Sequence, residues 1–205
     1  MFFGLRSYCF LICVLMVSSA RAGFILNIDL STVNQVTISA TTAVSLVSVS
    51  GNDYNGVYLK DIFAAGALGY FDRSPIVGSS LVYFNATSNG SPGLYHDSSN
   101  DRGLNIYDMD NGTPSPASFT TGVQAFKGSA TWSLTASQYA VFLLAPKTGD
   151  VYAFAFEIND LNGGPKVIGQ YDVSGISAVP EPTSVAIFGL GGLGMVYLAR
   201  RKRKV

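Results

Sequence analysis

Cysteine is nearly absent from this sequence. Cys9 and Cys13 are the only two in 205 residues, and both fall within the first 22. Beyond that point there is no thiol, which excludes disulfides and thiolate metal sites from the rest of the chain. The remainder must be held by its core alone, and roughly 155 residues suffice to bury about two-thirds of the unfolded surface. Basic residues are also scarce in the middle. Residues 23–178 hold six Lys and Arg against twelve Asp and Glu. A surface so acidic repels phosphate backbones, so nucleic acid is not an expected partner. Histidine occurs once, at His96, in Leu94-Tyr95-His96-Asp97-Ser98. Triad members meet in space from separate elements, so three adjacent polar residues do not form one. His96 is expected to be a loop histidine without a partner. There is no HExxH and no G-x-S-x-G, and no phosphate loop outside the last residues. The expectation is a protein that is not an enzyme.

What is present is clearest at the two ends. Residues 1–22 carry Arg6, an unbroken apolar run from Tyr8 to Val17, and then Ser18-Ser19-Ala20-Arg21-Ala22. Ala20 and Ala22 fit the small-x-small pattern that signal peptidase accepts, with cleavage before Gly23. The apolar run is too short to span a bilayer, which needs about 20 residues. Residues 1–22 therefore read as a cleavable signal peptide.

Residues 179–205 have three parts. Pro180-Glu181-Pro182 is stiff and extended, because each proline fixes its own φ and pushes the preceding residue out of the helical region. Ser184 to Ala199 has no charge; as a helix it would run about 24 Å, slightly short of a bilayer core. Arg200, Arg201, Lys202, Arg203 and Lys204 follow, a cluster that holds its end of a membrane helix on the cytoplasmic side. Within the apolar segment, Gly189-Leu190-Gly191-Gly192-Leu193-Gly194 spells G-x-G-x-x-G, yet no βαβ unit surrounds it and no acidic residue follows. The dinucleotide reading is rejected on that context; close helix packing in a membrane accounts for the glycines.

Taken together, the Pro-Glu-Pro tripeptide, the glycine-containing apolar segment and the terminal basic cluster resemble the PEP-CTERM sorting domain of Gram-negative bacteria. The resemblance covers about residues 178–205. It implies recognition by an exosortase, a membrane-embedded transpeptidase or protease, with Pro180, Glu181 and Pro182 as the recognition element. It also implies export across the inner membrane, transient membrane anchoring and delivery to the cell surface, alongside exopolysaccharide and biofilm matrix.

Residues 23–178 have the composition of strands and turns, rich in Ser, Thr, Val, Tyr, Phe, Gly and Asn. Phe24 to Leu30 alternates with period two, as a half-buried strand does. Val36–Ala40, Val44–Val49, Leu81–Phe84, Leu104–Tyr107 and Lys166–Val173 are further expected strands. Tyr139–Ala145 and Val151–Glu157 predict a hairpin around Pro146-Lys147-Thr148-Gly149-Asp150. Lys60–Leu68 alone reads as helical, and Asn85–Ser118 reads as largely exposed loop. The expected fold is all-β, a β-sandwich or jelly roll, with Trp132 in its core.

Two binding chemistries remain in that domain. Asp97, Asp101, Asp108 and Asp110 place oxygen ligands at short intervals, the kind Ca²⁺ takes, although the spacing departs from an EF-hand. Asp, Asn and Gly are equally the residues of ordinary turns. Tyr54, Tyr58, Tyr95, Tyr107 and Trp132 would stack on sugars if they shared one exposed face, and otherwise would fill a core. Three sequons, at Asn85, Asn89 and Asn111, matter only in a host that glycosylates them. The leading expectation is an exported, non-enzymatic surface or matrix protein. The alternative is a carbohydrate-binding, lectin-like module that engages exopolysaccharide. A third, a hydrolase, would require His96 or a close carboxylate pair in a cleft.

Overall fold

A computed structural model describes residues 23–175, apart from 65–66, 75, 77–78, 87–91, 97–100, 110–115, 158–159 and 162–163. Residues 1–22, read above as a signal peptide ending in Ala20 and Ala22, lie outside the described residues. So do Pro180, Glu181, Pro182, the apolar segment 184–199 and the basic cluster. Among the described residues no helix is long and apolar enough to cross a membrane.

The chain is mostly β, as its composition predicts. In order it forms β1 (Phe24–Asp29), β2 (Gln35–Ala40), β3 (Val49–Asn52), β4 (Val57–Leu59), β5 (Phe71–Arg73), β6 (Val82–Tyr83) and β7 (Gly93–His96). There follow β8 (Leu104–Tyr107), β9 (Pro116–Phe119), β10 (Phe126–Lys127), β11 (Ser129–Ser133), α1 (Ala136–Phe142), β12 (Thr148–Ala153) and β13 (Lys166–Ser174). Among the described residues nine strands make one sheet in the order β11-β2-β1-β13-β12-β4-β8-β7-β5. The pairs β6–β10 and β3–β9 are separate two-stranded ladders. Their rings Tyr83, Phe119 and Phe126 join the same apolar core as Ile25, Ile28, Ile38 and Ile168 of the large sheet. The arrangement is sandwich-like, with one layer far wider than the other.

Period-two alternation explains the centre of the sheet. In β1, Leu26 and Ile28 are buried while Asn27 and Asp29 are not, and β2 repeats this with Val36 and Ile38. The β1–β2 hairpin closes through Asn34 at φ 59, a left-handed state that Asn tolerates better than most residues. On its other side β1 runs parallel to β13, with Leu26 opposite Tyr171 and Ile28 opposite Val173. Beyond β13, Gly149 of β12 faces Tyr171, and a Cβ there would stand 2.3 Å from the phenol oxygen. Only glycine lets that ring lie across the neighbouring strand. Trp132 is fully buried as expected, and its indole N–H donates to the Pro92 carbonyl at 3.1 Å.

Four expectations about secondary structure are corrected. The first concerns Tyr139–Ala145, which is not a hairpin strand: residues 136–142 are helical. The Thr135 hydroxyl accepts from the Gln138 N–H, and the Gln138 side chain accepts from the Thr135 N–H, a reciprocal capping box. Strand β12 instead pairs with β13 and β4. The second is Lys60–Leu68, whose described residues form turns and bends rather than a helix, with Asp61 at φ 56. Third, Val44–Val49 is no continuous strand; Val44 and Ser45 make isolated bridges, and β3 begins only at Val49. Finally, the described residues of Asn85–Ser118 are not mainly exposed loop. They contribute β7, β8 and β9, and they bury Leu94, Leu104, Ile106 and Met109.

Candidate functional site

Strands β4, β8 and β7 divide the aromatic residues between two faces. Val57, Leu59, Leu104, Ile106, Leu94 and His96 point one way, into the core. On the opposite face, Tyr58 stands across from Asn105, Asn105 from Tyr95, and Tyr95 from Asp72 of β5. One step along, Tyr107 faces Gly93, where a Cβ would lie 2.4 Å from the phenol ring. Glycine at 93 lets that ring lie down over β7.

Two turns bring further rings to this face. Tyr54 sits in the β3–β4 turn, where the Asn52 side chain accepts from its N–H at 2.8 Å. Phe156 follows β12 beyond Phe154, which takes a left-handed backbone (φ 57) that is rare for a bulky residue. The Phe154 N–H donates to the Gly56 carbonyl at 2.8 Å, and its ring packs on Tyr83 and Phe119. That bend directs the chain back over the sheet.

The result is a connected row. Phe156 stacks on Tyr54 with ring centroids 6.2 Å apart, lies tilted against Tyr95 at 4.5 Å and meets Tyr107 edge-on at 6.0 Å. Tyr70 meets Tyr95 edge-on at 5.6 Å. Tyr54 is 55 % exposed and Tyr70 62 %, while Tyr95, Tyr107 and Phe156 are half-buried between them. The Tyr107 hydroxyl donates to Asp72 Oδ1 at 2.7 Å. Burial raises the Tyr107 pKa most, followed by the hydrogen bond to and the charge of Asp72, so the hydroxyl stays protonated and donating.

One residue holds both turns. Asn105 is buried, and its Nδ2 donates to the carbonyls of Asn55 (2.8 Å), Val57 (3.2 Å) and Ala155 (3.0 Å). Asn55 is next to Tyr54, and Ala155 is next to Phe156.

Of the aromatics singled out in the sequence, Tyr54, Tyr95 and Tyr107 come together here, joined by Tyr70 and Phe156, which the sequence reading did not include. Tyr58 and Trp132 do not join them. Tyr58 is fully buried and donates to Asp101.

The remaining candidates are occupied in other ways. His96 is a correction: it is 2 % exposed rather than a loop residue. Its Nδ1 donates to the Gly103 carbonyl at 2.8 Å, and its ring lies between Phe63 and Phe71. Leu94 and His96 share a face because they are two apart in a strand. Asp101 is also buried, accepting from the Gly103 N–H at 2.9 Å as well as from Tyr58. Asp108 sits at φ 53, and its carboxyl pKa is raised by burial first and then by Asp53 and Asp72. Asp97 and Asp110 lie outside the described residues. Among the described residues no group of three or more His, Cys, Asp or Glu could hold a metal ion. A separate open depression of about 560 Å³ is rimmed by Lys60, Asp61, Arg102 and Asp150, with Phe63 and Gln170 also lining it. Its charges offset one another. Asp61 pairs with Lys60 at 3.9 Å and with Arg102 at 3.5 Å, and Gln170 donates to Asp150 at 3.2 Å.

Comparison with known families gives one match, to the PEP-CTERM protein-sorting motif, over residues 178–204. No curated protein and no solved structure matches the chain.

Proposed function

Because the chain carries a PEP-CTERM protein-sorting motif at residues 178–204, we propose that it is an exported surface or matrix protein whose tail an exosortase processes. The family match is the observation that carries this reading, and its chemistry follows from the tail. Two prolines would favour an extended backbone at Pro180-Glu181-Pro182, a form that a protease or transpeptidase cleft can bind as a strand. The uncharged segment 184–199 would hold the chain at the inner membrane, and the five basic residues would keep the terminus cytoplasmic. The β domain would then face outward and act by display, without catalysis. Its acidic, cysteine-free composition suits that location.

The test is expression in a host that contains the matching exosortase and in one that lacks it, with mature mass and location measured in both. The expected product starts at Gly23, lacks the residues after the Pro-Glu-Pro region, and leaves the inner membrane only where the exosortase is present. An intact C-terminus held in the inner membrane of both hosts would make the tail a plain anchor and refute the sorting reading.

A second reading, that the domain engages exopolysaccharide as a lectin-like module, is supported by a specific arrangement. The row Tyr54–Phe156–Tyr95–Tyr70 is the shared, partly exposed aromatic face that sugar stacking requires.

A further inference from the structure

We propose that the aromatic row on the outer face of β7 and β8 is a binding face for uncharged hexopyranose glycans. The proposal rests on the second reading above and names its site and its ligand class.

Three observations carry it. The first is chemical. Four of the five rings are tyrosines; the row offers apolar π faces to the axial C–H groups of a pyranose, and the exposed Tyr54 and Tyr70 add hydroxyls for its equatorial oxygens. Asp72, held beside the row by the Tyr107 hydroxyl, adds a carboxylate acceptor for sugar hydroxyls. The second is electrostatic. The ionisable groups that act on Tyr107 are Asp72, Asp108 and Tyr70, and the domain carries twice as many acidic as basic residues. Such a surface repels uronate and sulfate polymers and leaves uncharged chains as the matching partner.

The third is size. With Tyr54 and Tyr70 a little over half exposed and the other three rings less so, the accessible area of the row is roughly 300–400 Å². A stable protein partner or a second copy of this chain needs about 800 Å² per side, so the row falls well short, whereas a few sugar residues would cover it. It is also preorganised. Two rings stand on adjacent strands and two on turns tied to Asn105 or Asn52, so little ordering is needed on binding.

The test uses the full chain in a detergent without a sugar headgroup, titrated calorimetrically with dextran, a mixed-linkage β-glucan and galactomannan. Alginate serves as the polyanionic arm. Tyr54→Ala and Tyr70→Ala remove exposed rings with little effect on the core, and Trp132 fluorescence checks that each variant is folded. Binding to a neutral glycan is expected, weakened roughly fivefold by each alanine substitution and largely kept by Tyr54→Phe and Tyr70→Phe. Wild-type binding that the alanine variants leave unchanged would overturn the row as the site while sparing the carbohydrate reading. An absence of binding to all three neutral polymers would overturn both. A preference for alginate would overturn the ligand class. A concentration-dependent dimer, lost in the alanine variants, would assign the row to self-association instead.

Discussion

Asn105→Leu is the substitution that most directly tests how the two ring-bearing turns are held. The asparagine amide donates to three buried or half-buried carbonyls, one in the β3–β4 turn, one in β4 and one after β12. Leucine is close in size, so the cavity contribution is small and the change isolates the hydrogen bonds. The amide has two protons for three acceptors, and losing them leaves those carbonyls short of a donor at about 1–3 kcal/mol for each group that water cannot reach. Two effects oppose this. Among the described residues the Asn105 Oδ1 has no hydrogen-bond partner, so its removal relieves a cost, and leucine is better suited to a buried site. The net loss is about 2–4 kcal/mol. For a domain of this size, each kcal/mol lowers Tm by about 2–4 °C. Urea and thermal unfolding followed through Trp132 would measure the loss. Hydrogen exchange would report whether residues 53–57 and 154–157 loosen together. A loss below about 1 kcal/mol, with exchange in both turns unchanged, would refute Asn105 as their common tie.

Two further substitutions test other parts of the fold. Asp108→Asn should raise Tm at neutral pH. An acid whose folded pKa lies above its ordinary 3.8 costs stability once pH rises through the window between the two values, and returns it as pH falls. Asparagine removes that dependence and suits the left-handed backbone at φ 53; unchanged stability across that window would count against the burial and repulsion assigned to this carboxyl. Thr135→Ala should cost about 1 kcal/mol and lower Tm by about 2–4 °C, because it removes the cap of α1. No measurable change would mean that α1 is held by Phe142 and Tyr139 packing alone.

The strands with regular alternation were legible from sequence. Phe24–Asp29, Gln35–Ala40, Leu104–Tyr107 and Lys166–Ser174 each stand close to the strands expected at Phe24–Leu30, Val36–Ala40, Leu104–Tyr107 and Lys166–Val173. The helix was misread because Tyr139, Val141 and Phe142 have strand-forming side chains. The signal that would have found it is Thr135-x-x-Gln138, a capping box directly before the run. The 85–118 segment misled through density. Its few apolar residues are spread thinly, yet Leu94, Leu104 and Ile106 occupy alternate positions of short strands and are all buried. His96 belongs to the same phase, and its polar neighbours concealed this.

The aromatic row was only half legible. Tyr54, Tyr70, Tyr95, Tyr107 and Phe156 come from five separate segments, so no local spacing links them. Sheet register and the bend at Phe154 bring them together. Sorting, by contrast, is written in consecutive residues and needs no tertiary structure to be read.

The parallel pairing of β1 with β13 has a consequence in time. The first strand of the domain is flanked by β2 on one side and by the last strand on the other. If the chain is threaded through a translocon from its N-terminus, β1 emerges early and its second edge stays open until β13 arrives. An open apolar edge is a template for wrong pairing, and contacts between distant parts of a chain form slowly. The domain would therefore stay unfinished, and dependent on chaperones, for nearly the whole of its passage. Its closure would coincide with the emergence of the Pro-Glu-Pro region that follows β13, so one event would both complete the fold and present the tail.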